Sequence, residues 1–248
     1  MDFSSQSYQC ASCGAPLDLK SGLSVYAVCA YCGAAQIKKG TSLEKLGEVP
    51  ELLDDMSIIQ LGTRGVLSRG PKVGKRFQVV GRIRLKWERA TWDEWYVLFE
   101  DMSAGWLAES SGFYYVTTED EMPVDLRNSE LSIFELGASI RVGSDQYYLK
   151  DKKDAECIYS EGELPFSGAV GEHIESYDFT GSDLRFVTIS RTKDIDKKQL
   201  SESGWGDKKP DLGPYQLFKG YIFTFPELEF EFMREVAGWE HGALRRRV

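Results

Sequence analysis

Histidine is nearly absent from this chain of 248 residues. Only His173 and His241 occur, and neither lies beside a serine or cysteine in a recognisable pattern. That scarcity argues against catalysis built on an imidazole base or on histidine-held metal. Long apolar runs are missing as well: nothing approaches the roughly 18 residues a membrane span needs. The first nine residues, MDFSSQSYQ, lack both the basic start and the apolar core of a secretory signal. A cytoplasmic protein is therefore expected, and its five cysteines are then not expected to form a disulfide framework. The net charge of -9 and pI near 5.0 weigh against nucleic acid as the main partner.

The cysteines that are present are placed informatively. Cys10-Ala11-Ser12-Cys13-Gly14 and Cys29-Ala30-Tyr31-Cys32-Gly33 give a C-x2-C-x15-C-x2-C pattern, inside the window for a four-thiolate zinc site. Between the pairs, Leu17, Leu19, Leu23, Val25, Ala27 and Val28 suggest two short strands with a turn at Ser21-Gly22. This is the layout of a zinc ribbon, a unit too small to fold without its metal. Two disulfides are the alternative. A catalytic zinc fits poorly, because four protein ligands leave no position for water. The fifth cysteine, Cys157, alternates with Ala155 and Tyr159 and reads as a buried structural thiol.

From Phe77 to Trp106 the chain holds four of its six tryptophans. Phe77, Val79, Ile83, Leu85 and Trp87 share one face of a period-two pattern, and Trp95, Val97 and Phe99 continue it after a polar turn. The two arms predict an antiparallel hairpin with those residues on one core. Ile58-Ile59-Gln60-Leu61-Gly62-Thr63 is echoed by Ile133-Phe134-Glu135-Leu136-Gly137-Ala138, and each copy precedes an alternating strand. The echo predicts a duplicated SH3-like or β-barrel-type unit, all-β and mostly antiparallel. The expected organisation is a ribbon over 1–40, a connector over 41–56 and barrel-like halves over 57–130 and 131–235. A mobile insert over 191–214 and a tail over 236–248 complete it. Alternation of Leu228, Phe230 and Phe232 with glutamates reads as a further strand.

Two acidic-aromatic stretches are candidates for binding: Trp92-Asp93-Glu94-Trp95-Tyr96 and Glu161-Gly162-Glu163-Leu164-Pro165-Phe166. Paired carboxylates can act as acid and base, and acids beside aromatic faces can hold an organic cation. The other reading puts the rings in the core and the acids in water. If the halves pack together, a groove lined by Trp92, Asp93, Glu94, Tyr96, Glu161, Glu163 and Phe166 would suit such a cation. Arg82, Arg84 and Lys86 belong to a basic stretch that is either a phosphate-binding patch or a solvated strand face; the acidic remainder favours the latter.

The blocks Gln60 to Gly65, Phe77 to Arg82, Trp92 to Tyr96, Gly105 to Leu107 and Glu161 to Pro165 together resemble a bacterial domain-of-unknown-function family, numbered forty-one seventy-eight. Members of that family often carry an amino-terminal ribbon like Cys10 to Cys32. The resemblance implies a setting near spermidine-synthase-like enzymes and membrane-stress proteins, with association at the inner face of the membrane through a partner. It carries over no catalytic residue. Three functions stay open: a non-enzymatic zinc-ribbon adaptor for other proteins, a carboxylate-based enzyme acting on a polyamine or its conjugate, and nucleic-acid binding, the weakest.

Overall fold

The computed structural model describes residues 3, 5–52, 55–127, 129–168, 170–194, 211–212, 214–237, 239–240 and 243–244. The ribbon comprises β1 (Gln6–Gln9), β2 (Pro16–Leu19), β3 (Tyr26–Val28), β4 (Ala34–Lys39) and β5 (Ser42–Glu48). β1 pairs with β2, and β3, β4 and β5 form an antiparallel run. Residues 42–48 thus extend the ribbon's sheet into what the sequence suggests is a connector. Leu43 is their buried anchor against an otherwise exposed strand.

The first half supplies β6 (Arg64–Val66), β7 (Arg76–Trp87), β8 (Ala90–Phe99), β9 (Ala104–Ser110) and β10 (Phe113–Asp120). A short helix α1 (Val124–Arg127) and a 3₁₀ turn (Leu131–Ile133) lead to the second half. That half supplies β11 (Ser139–Val142), β12 (Asp145–Leu164), β13 (His173–Thr180), β14 (Arg185–Asp194), β15 (Asp211–Leu212) and β16 (Gln216–Thr224). A 3₁₀ turn (Phe225–Leu228) and two-residue strands β17 (Trp239–Glu240) and β18 (Ala243–Leu244) follow. Most of the expected insert, the basic tail and His241 lie outside the described residues.

The halves share one ring. Antiparallel pairing runs β7-β8-β9-β10-β16-β14-β13-β12 and returns from β12 to β7. Each half therefore gives four strands, and closure leaves these eight without an open edge. Duplication extends to single bonds. Gly62 N–H donates to Val79 O and Val79 N–H to Thr63 O, while Gly137 N–H donates to Leu149 O and Leu149 N–H to Ala138 O. The register slips at matching places, between Val79 and Gly81 and between Leu149 and Asp151.

The slip in β7 corrects the expected faces. Phe77 and Val79 join Trp95, Val97, Phe99, Leu107, Tyr114 and Phe223 in a core outside the ring. Ile83 and Leu85 instead join Tyr96, Leu98, Ala155, Cys157 and Ile174, drawn from both halves, in a shared inner core. One extra residue reverses the parity of every side chain beyond it. Gly81 sits at the slip because a Cβ there would stand 1.9 Å from Glu163 O. The second half has its own outer core, with Tyr147, Leu149, Tyr177, Phe179, Val187 and Ile189.

Residues 225–232 are not the predicted strand. A capping box between Thr224 and Glu227 opens a 3₁₀ turn with Pro226 in its first positions, and Glu229 ends it in a left-handed conformation. Beyond it the chain covers the first half's outer core, with Phe230, Met233 and Val236 packed against it.

The ribbon is joined to the ring, not tethered beside it. β3 pairs with the end of β12, Glu163 opposite Ala27 and Leu164 opposite Tyr26. Tyr26 is fully buried in the inner core, with its hydroxyl 2.9 Å from Ser160 Oγ.

Candidate functional site

The four ribbon thiols converge. Cys10, Cys13, Cys29 and Cys32 present sulfurs all within 4.8 Å of one another. Cys10 and Cys32 Sγ are 3.7 Å apart and Cys13 and Cys29 Sγ 3.8 Å. A tetrahedral ion with metal–sulfur bonds near 2.3 Å requires edges of about 3.8 Å. Each Cys-x-x-Cys closes a tight turn: Gly14 N–H donates to Cys10 O and Gly33 N–H to Cys29 O, both at 2.9 Å. Gly14 and Gly33 adopt φ of +74° and +68°, which a side chain would resist. Ser12 and Cys13 N–H both approach Cys10 Sγ at 3.4 Å, dipoles suited to a thiolate. The buried Gln36 accepts from Ala11 N–H at 2.6 Å and steadies the first turn. The cluster can hold a metal ion, and its thiolate donors suit a soft or borderline one.

The seven acidic-aromatic candidates fall in three places. Asp93 and Glu161 meet outside the ring at Arg82, whose side chain is fully buried. Arg82 makes two bonds to Asp93 at 2.9 and 2.8 Å, two to Asp55 at 2.7 and 2.9 Å, and one to Glu161 at 3.2 Å. Its guanidinium lies 4.4 Å from the centre of the Trp95 ring. Arg84 makes two further bonds to Asp93 at 2.8 Å, and Arg234 pairs with Asp55. Burial works to raise the Asp55 carboxyl, but the bonds from Arg82 and Arg234 override it and hold it well below the usual carboxylate range. Arg82 and Arg84 thus sit in an ion network of three cations and three carboxylates, not on a solvated face.

Glu163 forms the seam with the ribbon. The residue is 4% exposed, and its carboxylate accepts from Lys20 N–H at 2.9 and 3.0 Å, Ser21 N–H at 3.0 Å and Ser24 Oγ at 2.8 Å. Burial raises its pKa, and these donors pull against that. Tyr96 reaches the same ribbon turn, with its hydroxyl 3.1 Å from Ser21 Oγ.

Trp92, Glu94, Tyr96 and Phe166 gather at the inner core. The Tyr96 and Trp106 rings are 5.3 Å apart and the Trp106 and Phe166 rings 5.7 Å. Trp92 Nε1–H donates to Glu94 at 3.0 Å. Lys153, not singled out in the sequence, places its ammonium 5.6 Å from the centre of the Trp92 ring and 3.4 Å from Asp178. Burial, with the nearby Asp178 charge, raises Glu94 to about 6, against the Trp92 hydrogen bond and Lys153. A folded-state pKa above its unfolded value contributes stability below pH about 4.5 that disappears as pH rises through about 6. Glu94→Gln should therefore stabilise the protein at pH 7 by roughly 1–2 kcal/mol and change little at pH 4. Urea unfolding at both pH values checks this, and a variant no more stable at pH 7 would contradict it.

His173 Nδ1 lies 3.0 Å from Asp154, and both are substantially exposed. Cys157 is 1% exposed, and burial pushes its thiol up to about 12, so it is inert as a nucleophile. None of the chain's described helices is long and apolar enough to cross a membrane.

Fold and site define an all-β, barrel-type protein with a four-cysteine ribbon. Residues 72–206, more than half of the chain, match the family model described as a domain of unknown function (DUF4178), and the chain belongs to that family. No curated protein matches, and no solved structure matches.

Proposed function

We propose that the protein is a non-enzymatic adaptor whose ribbon holds one structural zinc ion and whose β-surface binds other proteins. The observation that carries this reading is the employment of three of the four candidate carboxylates. Asp93 and Glu161 are bound to Arg82, and Glu163 is bound to ribbon amides. Acids held this way stabilise structure and are poorly placed to move protons. Four thiolates likewise leave zinc no open position for chemistry. The proposed setting is a bacterial polyamine-linked or membrane-stress system, with membrane-associated or spermidine-synthase-like proteins as partners. Freshly purified, unchelated protein should contain one zinc per chain. Affinity capture from the native host should recover a defined partner at near-equal stoichiometry. Turnover of spermidine or a spermidine conjugate by the pure protein would overturn the reading.

A second reading is favoured by Lys153. Its ammonium over Trp92 and beside Asp178 supports reading the inner aromatic surface as a site for an organic cation. Spermidine would then compete with Lys153 for Trp92, Glu94 and Asp178, with Tyr96 and Phe166 extending the surface. Calorimetry with spermidine tests this: no heat at about 1 mM, a Kd worth about 4 kcal/mol, eliminates it.

A further inference from the structure

Duplication lets one half serve as the reference for the other. Arg64 on β6 and Ser139 on β11 are counterparts, each lying two residues after the matched glycines Gly62 and Gly137. In an antiparallel ladder alternate residues turn both backbone groups away from the partner strand. Thr63 and Ala138 bond inward to β7 and β12, so Arg64 and Ser139 both turn outward.

The first half uses this outward edge. Arg64 N–H donates to Glu231 O, and Glu231 N–H donates to Arg64 O, both at 3.0 Å. Arg234 N–H donates to Ile58 O at 2.8 Å, and Gln60 and Thr63 side chains donate to Phe232 O at 3.1 and 3.2 Å. A segment held by one antiparallel bridge, with Phe232 at φ +58°, thus lies along residues 58–64, and Ile58 beneath it is 2% exposed. Among the described residues the second half has a matching edge without this cover. Glu135 and Ala138 stand where Gln60 and Thr63 donate, and Lys152 Nζ donates to the carbonyls of Ser132 and Phe134. Ser139 is exposed, and Ile133, the counterpart of Ile58, is 71% exposed, with Leu136 at 65%.

We infer that the edge of β11, with Ile133 and Leu136, is a docking site for an extended segment of a partner protein. The occupant's chemistry is read from the sister half. It adds one antiparallel bridge of backbone bonds at Ser139 and seats an apolar side chain on Ile133, with Leu136 at the rim as its counterpart Leu61, 39% exposed, is in the first half. Phe230 and Met233 show the kind of anchor required, since both pack against the first half's core. A strand edge flanked by exposed apolar residues is a liability unless something covers it.

The inference rests on the adaptor reading and gives it a surface. A peptide with the sequence of residues 226–237, PELEFEFMREVA, is the probe, because that segment covers the sister edge. Titrated into the intact protein, it should bind saturably and slow amide exchange across residues 133–142. Ile133→Asp with Leu136→Asp should weaken binding by about tenfold or more and leave the unfolding temperature unchanged, since both side chains face solvent. Three outcomes overturn the inference: no saturable binding up to about 1 mM peptide, protection confined to residues 58–66, or binding unaffected by the double variant. Self-association abolished by that variant would assign the edge to a second copy and also overturn it. Substrate turnover overturns the adaptor reading whatever the peptide does. A failed titration with zinc content intact removes only the docking edge.

Discussion

Chelating the zinc ion proposed for the ribbon, or replacing Cys13 with serine, should lower the unfolding temperature of the ring as well as melt the ribbon. Structural zinc sites in small domains contribute on the order of 10–16 kcal/mol of apparent folding free energy, so the ribbon does not survive without its ion. What makes the loss spread is Glu163. Every donor to its carboxylate described above, from Lys20, Ser21 and Ser24, belongs to the ribbon. Unfolding the ribbon leaves that carboxylate at the end of β12 without partners, and removes the pairing of β3 with β12. Melting the ribbon also withdraws the fully buried Tyr26 from the inner core and exposes the apolar surface it covers, at about 25 cal/mol per Å². Heat unfolding followed separately at ribbon and ring amides by hydrogen exchange checks this. A ring transition that stays put while the ribbon melts would show that the seam contributes nothing. Glu163→Gln isolates the seam from the metal: it should destabilise the ring with zinc still bound, because an amide nitrogen would face the amides that the carboxylate accepts.

The expectation that ribbon and barrel are separable came from the polar composition of residues 41–56. Composition reports exposure, and β5 is indeed mostly exposed. It does not report pairing, which is made by backbone groups that every sequence carries. The hairpin from Phe77 to Trp106 was legible because alternation is a local signal. Its two faces were legible only as far as Val79, where the register slips by one residue. Gly81, an interior strand glycine, was the available mark of that slip. The echo of Ile58 to Thr63 in Ile133 to Ala138 was readable because both copies must make the same glycine-dependent turn, Gly62 at φ +92° and Gly137 at +89°. That the two copies close a single ring was not written locally, since closure depends on how far β12 continues.

For the sites, the contrast is between local and distant chemistry. The cysteine turns are defined by spacing alone, and the four sulfurs meet as that spacing requires. Clustered carboxylates at Trp92 to Tyr96 said that acids were present but not which way each points. Alternation along β8 sends Asp93 outward to Arg82 and Glu94 inward to Trp92 and Lys153. The rest of the Arg82 network could not be read at all. Asp55 and Arg234 are 179 positions apart, and neither lies in a strand of the fold.

Arg82→Ala should be among the most destabilising substitutions in this protein. Arg82 is fully buried and bonded to Asp55, Asp93 and Glu161, and its removal leaves three carboxylates facing one another with only Arg84 and Arg234 to balance them. Breaking a buried ion pair from one side typically costs 3–5 kcal/mol, because the surviving charge has lost both its water and its partner. The truncation also removes the guanidinium packed on Trp95. Arg82→Lys should recover only part of this, since one ammonium cannot reproduce two forked pairs at once. The pH dependence separates charge from packing. With arginine present, Asp55 stays ionised well below its ordinary value, so its contribution holds above the unfolded carboxylate pKa and fades only in strong acid. Without arginine the carboxylates gain from protonation, and the gap between wild type and Arg82→Ala should narrow as pH falls from 7 to 4. Urea unfolding at the two pH values measures both effects. A loss below about 1 kcal/mol at pH 7, in the range of an exposed pair, would mean that Arg84 and Arg234 neutralise the cluster alone. A gap that does not change with pH would assign the cost to the cavity against Trp95.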